Sequence, residues 1–183
     1  MINQHATIEE NATKVISYCE TRNFKGKPIV DAVSMQILSK MGAIAYKAET
    51  PHKDRLRGLI ESMLGDILVL SIAQAYASNG IAAEAYKLAP TDKILAFGGA
   101  VTALMQSSYC QYRVHASSYD LEKMVLGENP MHKEQFNAIS HERAESLTNL
   151  YVALRTLAMD FDLTLEECLT RGIKRMKKGL IKL

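Results

Sequence analysis

The sequence has no tryptophan, only four prolines and ten glycines, and three cysteines in 183 residues. So little Pro and Gly excludes a collagen-like or low-complexity chain. Cys19, Cys110 and Cys168 are odd in number, widely spaced and outside any CxxC pattern. They read as reduced thiols of a cytoplasmic protein rather than as a disulfide framework or a cysteine zinc site. No HxxxH or HExxH spacing joins His115, His132 and His141, and neither a nucleophile elbow nor a kinase signature occurs. Long apolar runs are missing too. The most apolar stretches, Ile67–Ala77 and Leu95–Met105, fall far short of the ~20 residues a membrane span needs. The polar opening MINQHATIEEN carries no signal-peptide pattern. The expectation is a soluble protein with no membrane partner.

What is present is ordinary for a globular chain: 48% hydrophobic and 23% charged residues. A single domain over 1–183 fits this length and buries roughly 70% of its unfolded surface, enough to fold without a metal or a disulfide. The net charge of +2 hides an asymmetry. Beyond Glu167 come Arg171, Lys174, Arg175, Lys177, Lys178 and Lys182 with no acid among them, so the remaining 16 basic residues face 20 acidic ones. Such a tail attracts phosphate or nucleic acid. The simpler account is that cations favour the C-terminal end of a helix.

Helical signals run through almost the whole chain. Thr7-Ile-Glu-Glu10 and Thr164-Leu-Glu-Glu167 are capping boxes. The first predicts a helix to about Cys19–Thr21, the second a basic helix to about Lys178. Ile29, Val33, Ile37, Met41, Ile44 and Ala45 recur at the spacing of one buried helical face. From Leu56 to Ile72 a longer helix turns apolar on nearly all sides, as the central helix of a bundle does. Asn79-Gly80 is its stop signal. Further helices are expected over Ala82–Leu88, from Thr91 to about Ser107, and from Asn129-Pro130 through Phe136, Ile139, Leu147, Leu150, Val152, Leu154 and Leu157. A short helix near Leu121–Val125 and a turn at Asp160-Phe-Asp162 complete an all-α reading. Gly98-Gly99, inside one of these helices, suits a close approach between helices rather than a phosphate loop.

An internal repeat organises the helices. Gln36-Ile-Leu-Ser-Lys-Met-Gly-Ala-Ile-Ala-Tyr-Lys47 aligns with Lys93-Ile-Leu-Ala-Phe-Gly-Gly-Ala-Val-Thr-Ala-Leu104, sharing Ile-Leu and Gly-Ala in register. Each is followed by a long apolar helix and a short amphipathic one. The expected fold is a helical bundle of two units, about 29–88 and 91–178, in a pseudo-twofold arrangement.

The run Asn149-Leu-Tyr-Val-Ala-Leu-Arg-Thr-Leu-Ala-Met-Asp-Phe-Asp-Leu-Thr-Leu-Glu-Glu-Cys-Leu resembles the MazG-like all-α nucleoside-triphosphate pyrophosphohydrolases. Leu64-Gly-Asp-Ile-Leu-Val-Leu70, ending at Asn79-Gly-Ile81, looks like the same element in the first half. The resemblance implies hydrolysis of a (d)NTP to monophosphate and pyrophosphate, with Mg²⁺ held by two acidic helix motifs, EExxE and ExxD. Several converging carboxylates are what such hard cations require.

Departures from that pattern are as informative as the match. Ser39-Lys40-Met41-Gly42-Ala43 stands where the first acidic motif is expected, and Ala96-Phe97-Gly98-Gly99-Ala100 in the second half has no carboxylate. Asp66 matches the final acid of the second motif, but Ser62 and Met63 replace its preceding pair. Glu145 keeps one acidic position, and Asn149 replaces the final Asp. A composite site would take Asp66 and Glu145 as catalytic residues and Asp66, Glu142, Glu145, Asn149 and Glu61 as Mg²⁺ ligands, with Lys40 on the substrate phosphates. Against it, Glu142 and Glu145 flank Arg143 and His141 on what reads equally as a solvated face, and a lysine such as Lys40 commonly reaches out to solvent. Asp66 is the most pointed member: a carboxylate in an apolar run is paired, hydrated or metal-bound. Tyr109, Tyr112 and Tyr119, with Arg113 and His115, suit base stacking or an interface loop. The alternative to a hydrolase is an inactive relative that binds a nucleotide or a protein partner, a second copy of the chain included. Nucleic-acid binding through the basic terminal helix is the less favoured third reading.

Overall fold

The computed structural model describes residues 7–24, 27–48, 53–77, 98–103, 105–106, 109 and 130–183. Its main helices are α1 (Ile8–Glu20), α2 (Lys27–Ala48), α3 (Lys53–Ala77), α4 (Pro130–Met159) and α5 (Leu165–Lys177). Residues 98–103 are helical as well, and no strand occurs among the described residues. The protein is all-α, and none of these helices is long and apolar enough to cross a membrane.

Both capping boxes form. The Thr7 hydroxyl accepts the Glu10 amide at 3.3 Å while Glu10 accepts the Thr7 amide at 3.0 Å. Thr164 and Glu167 repeat the exchange at 3.2 and 2.8 Å. Each box satisfies two amides that the first turn of a helix leaves orphaned, and a cap of this kind contributes ~1 kcal/mol.

Helix α3 is the centre of the bundle. Every residue from Leu64 to Ala75 is buried, and α1, α2, α4 and α5 all touch it. Its most extensive contact is with α5, which buries Leu165, Cys168, Leu169, Gly172, Ile173 and Met176 and turns Arg171, Lys174 and Lys177 outward. The approach is closest at two glycines. A Cβ on Gly65 would overlap the Cys168 carbonyl and sit 2.8 Å from the Gly172 nitrogen. A Cβ on Gly172 would strike the Gly65 carbonyl.

Polar contacts fix α5 at both sides of this crossing. Arg57, on the first turns of α3, donates from Nε to the Phe161 carbonyl at 3.1 Å and from Nη2 to the Asp162 carbonyl at 2.9 Å. It grips the turn between α4 and α5, where Asp162 takes a left-handed φ of 52°. Asn11 of α1 donates to the Thr170 hydroxyl at 3.2 Å. Beyond α5 the chain folds back: Ile181 is buried, and the Lys182 carbonyl accepts from Gln36 of α2 at 2.9 Å.

The expected helices over 82–88 and near 121–125 lie outside the described residues, as do 91–97 of the helix expected from Thr91. Gly98 and Gly99 are exposed, and no described atom comes within 4 Å of a Cβ added to either. The close helix approach expected of them belongs to Gly65 and Gly172. Helix α5, assigned by sequence to the second unit, makes its main contact with the central helix of the first.

Two substitutions in α3 should therefore act in opposite directions. Gly58 is exposed with open space around it, so Gly58→Ala is expected to raise unfolding free energy by about 0.5–1 kcal/mol through helix propensity. Gly65→Ala drives a methyl into backbone and is expected to lower it by about 2–3 kcal/mol. Urea unfolding of the two variants against the parent checks the reversal of sign.

Candidate functional site

One residue after the glycine crossing, α3 presents Asp66. Its side chain is 1% exposed, within a helical run in which Leu64, Ile67, Leu68 and Leu70 are buried as well. A lone carboxylate there would be strongly unfavourable. Two cations from different helices meet it. Arg175 of α5 donates from Nε to Oδ1 at 2.8 Å and from Nη2 to Oδ2 at 3.2 Å. Lys40 of α2 donates from Nζ to Oδ2 at 2.7 Å. The Asp66 hydrogen bond holds the Arg175 guanidinium above its ordinary range, outweighing the opposite pull of burial. One negative and two positive charges leave the cluster at net +1.

Helical phase explains why these residues meet. Lys40 sits between Ile37 and Met41, both buried, at the edge of the α2 face that packs on α3. Arg175 follows Gly172 by one helical step and Cys168 by two, on the face of α5 that closes against α3. Ser34 and Gln74 form a second, buried polar pair between α2 and α3, in which Gln74 donates to the Ser34 hydroxyl and Ser34 donates to the Val30 carbonyl at 2.7 Å. The pairs 40–66 and 34–74 step in opposite senses, so α2 and α3 run antiparallel.

Lys40 also lines a shallow, open cleft of about 300 Å³ with Met35, Gln36 and Ser39 of the same helix. Lys40 and Arg175 are 24% and 31% exposed. The cations thus face water while the carboxylate beneath them is sealed.

The other site candidates lie elsewhere. Glu61 is half-buried on α3 and close enough to α5 for its charge to act on the Cys168 thiol. Glu142 and Asn149 are half-buried on α4, and Glu145 is exposed. Among the described residues no three His, Cys, Asp or Glu side chains gather as a metal site. Magnesium asks for near-octahedral oxygen ligands and is bound through carboxylates and phosphates. Here the carboxylate of Asp66 has both oxygens bonded to cations that would repel the ion, so the cluster does not fit Mg²⁺.

Arg175 is the member that sequence reading missed. It was visible only as one of six tail cations, although the spacing of Cys168, Gly172 and Arg175 already put it on the packed face of its helix. Thiol chemistry has no support at the two described cysteines, both fully buried. Burial pushes the Cys19 thiol up to about 11 and the Cys168 thiol up to about 12, the latter with help from Glu61 and Glu167. Comparison with protein-family models, curated proteins and solved structures gives no match.

The burial asymmetry sets an order of stabilities. Lys40→Met/Arg175→Met strands a carboxylate that is 1% exposed and is expected to lower unfolding free energy by about 3–5 kcal/mol. Asp66→Leu frees two cations that already reach water, and its loss should be clearly smaller. Urea midpoints at constant m-value decide the ranking. The thiols make a separate test. In a Cys110→Ser background, Cys19 and Cys168 should resist a thiol reagent at pH 8 and react only on unfolding.

Proposed function

We propose that the chain is a MazG-like helical protein that has lost metal-dependent hydrolysis and works as a nucleotide-binding module. The observation that carries this reading is the Lys40–Asp66–Arg175 cluster. The resemblance sets an acidic motif on the helix before the long apolar one and a final acid on the apolar helix itself, so that the two face each other. Lys40 Nζ and Asp66 Oδ2 lie 2.7 Å apart between α2 and α3. The earlier position carries an ammonium in place of a carboxylate. Positive charge built into the protein stands where the hydrolases would collect negative charge for Mg²⁺.

The composite-site alternative needs Glu142 and Glu145 beside Asp66. The gathering of acids it requires is absent among the described residues, whereas a cleft beside a net positive cluster favours an anionic ligand. The two units in pseudo-twofold relation belong to the same proposal, since the resemblance places one copy of the element in each half.

Two measurements test the reading together. The pure protein, incubated with a panel of NTPs and dNTPs and Mg²⁺ or Mn²⁺, is expected to release no pyrophosphate. The same nucleotides should raise its melting temperature in EDTA, by mass action on the folded state. Pyrophosphate release abolished by Asp66→Ala, or stabilisation seen only with divalent metal, would return the chain to the hydrolases.

A further inference from the structure

Resting on that reading, we infer that Lys40 and Arg175 form a ready-made, metal-independent cradle for a phosphate chain, which either inorganic polyphosphate or the triphosphate end of a nucleotide supplies.

Donor counting comes first. A guanidinium has five N–H groups and an ammonium three. Asp66 takes two from Arg175 and one from Lys40. Three guanidinium donors and two ammonium donors remain, carried by side chains that are about a quarter to a third exposed. The Lys40 Nζ and the Arg175 Nη2 share one acceptor, Oδ2 of Asp66. Nitrogens bonded to the same oxygen are close neighbours, so a single phosphoryl group can touch both.

Rigidity comes next. Free lysine and arginine side chains lose considerable rotamer freedom when they grip a ligand. Here that ordering is already done in the folded chain. The bidentate hold through Nε and Nη2 fixes the guanidinium plane and leaves the Nη1–Nη2 edge, whose paired N–H groups also match phosphate oxygens. Gln36 and Ser39, one helical turn and one residue before Lys40, add neutral hydrogen-bonding groups along the cleft.

Charge decides what form of ligand enters. The cradle is net positive and sits over a carboxylate that is out of reach of solvent. A phosphate chain already coordinated by Mg²⁺ brings less negative charge and a cation that Lys40 and Arg175 repel. The cradle therefore selects the metal-free form, the opposite of a metal-dependent phosphohydrolase.

Isothermal titration of the whole chain tests this with sodium tripolyphosphate, ATP and adenosine, each in EDTA and in excess Mg²⁺. Saturable tripolyphosphate binding in EDTA is expected, weakened about tenfold or more by Mg²⁺, with adenosine silent. Lys40→Met is expected to weaken it about tenfold, while Lys178→Met, an exposed tail cation, should change it by less than about twofold. Arg175→Lys keeps the charge at Asp66 but loses the fork, and about fivefold weaker binding is expected. The inference is overturned by absent tripolyphosphate binding, by binding that requires Mg²⁺, or by equal loss in Lys40→Met and Lys178→Met. ATP binding untouched by Lys40→Met would remove the cradle and leave the nucleotide reading standing. Tripolyphosphate binding without ATP binding would keep the cradle, with inorganic polyphosphate as its ligand, and remove the nucleotide reading.

Discussion

A carboxylate sealed inside a helical bundle dictates much of what surrounds it. Asp66 lies on the one helix that every other main helix touches, and its charge must be answered within the protein. Two cations answer it, from α2 on one side and α5 on the other. Those helices are consequently held to a fixed register on α3, more sharply than apolar contacts alone would hold them. Burying ions rarely adds net stability compared with well-packed apolar side chains. What such a cluster supplies here is position: it holds an arginine and an ammonium, each partly exposed, beside one another at one place on the surface.

The same α3–α5 contact that delivers Arg175 depends on the absence of two side chains. Gly65 and Gly172 let the backbones come together, with the Cys168 carbonyl occupying the space a Cβ would need. Arg57 clasps the carbonyls of Phe161 and Asp162 below this point, and Arg175 reaches Asp66 above it. Close backbone approach, turn capture and ion pairing are therefore three parts of one docking event.

Much of this architecture is legible in the amino-acid order. The apolar run around Leu64–Leu70 announces a central helix, and Thr7/Glu10 and Thr164/Glu167 announce two helix starts, because capping and amphipathicity are local. Asp66 stands out for a related reason: a charge in such a run demands a partner. Which partner is a different matter. Lys40 reads in sequence as a phosphate contact or a lysine reaching solvent, Arg175 is 109 positions from Asp66, and one more cation in a basic tail carries no label. The glycine crossing is equally silent, since a sequence shows where a side chain is missing but not what moves into the gap. Gly98-Gly99 suits a close helix approach in sequence, yet both residues are exposed.

The separations within the ion cluster also imply an order of assembly. Lys40 and Asp66 are 26 positions apart, Asp66 and Arg175 109. Closing the longer loop costs about 1.3 kcal/mol more in chain entropy than closing the shorter one. The α2–α3 hairpin can thus gather early, with its acid already paired to Lys40, and wait for the C-terminal helix to arrive. Excursions in which α5 lifts away while the hairpin persists would dismantle the arginine side of the cluster without melting the rest. A ligand on the proposed cradle, which needs Arg175 in place, would by mass action favour the state in which the last helix is seated.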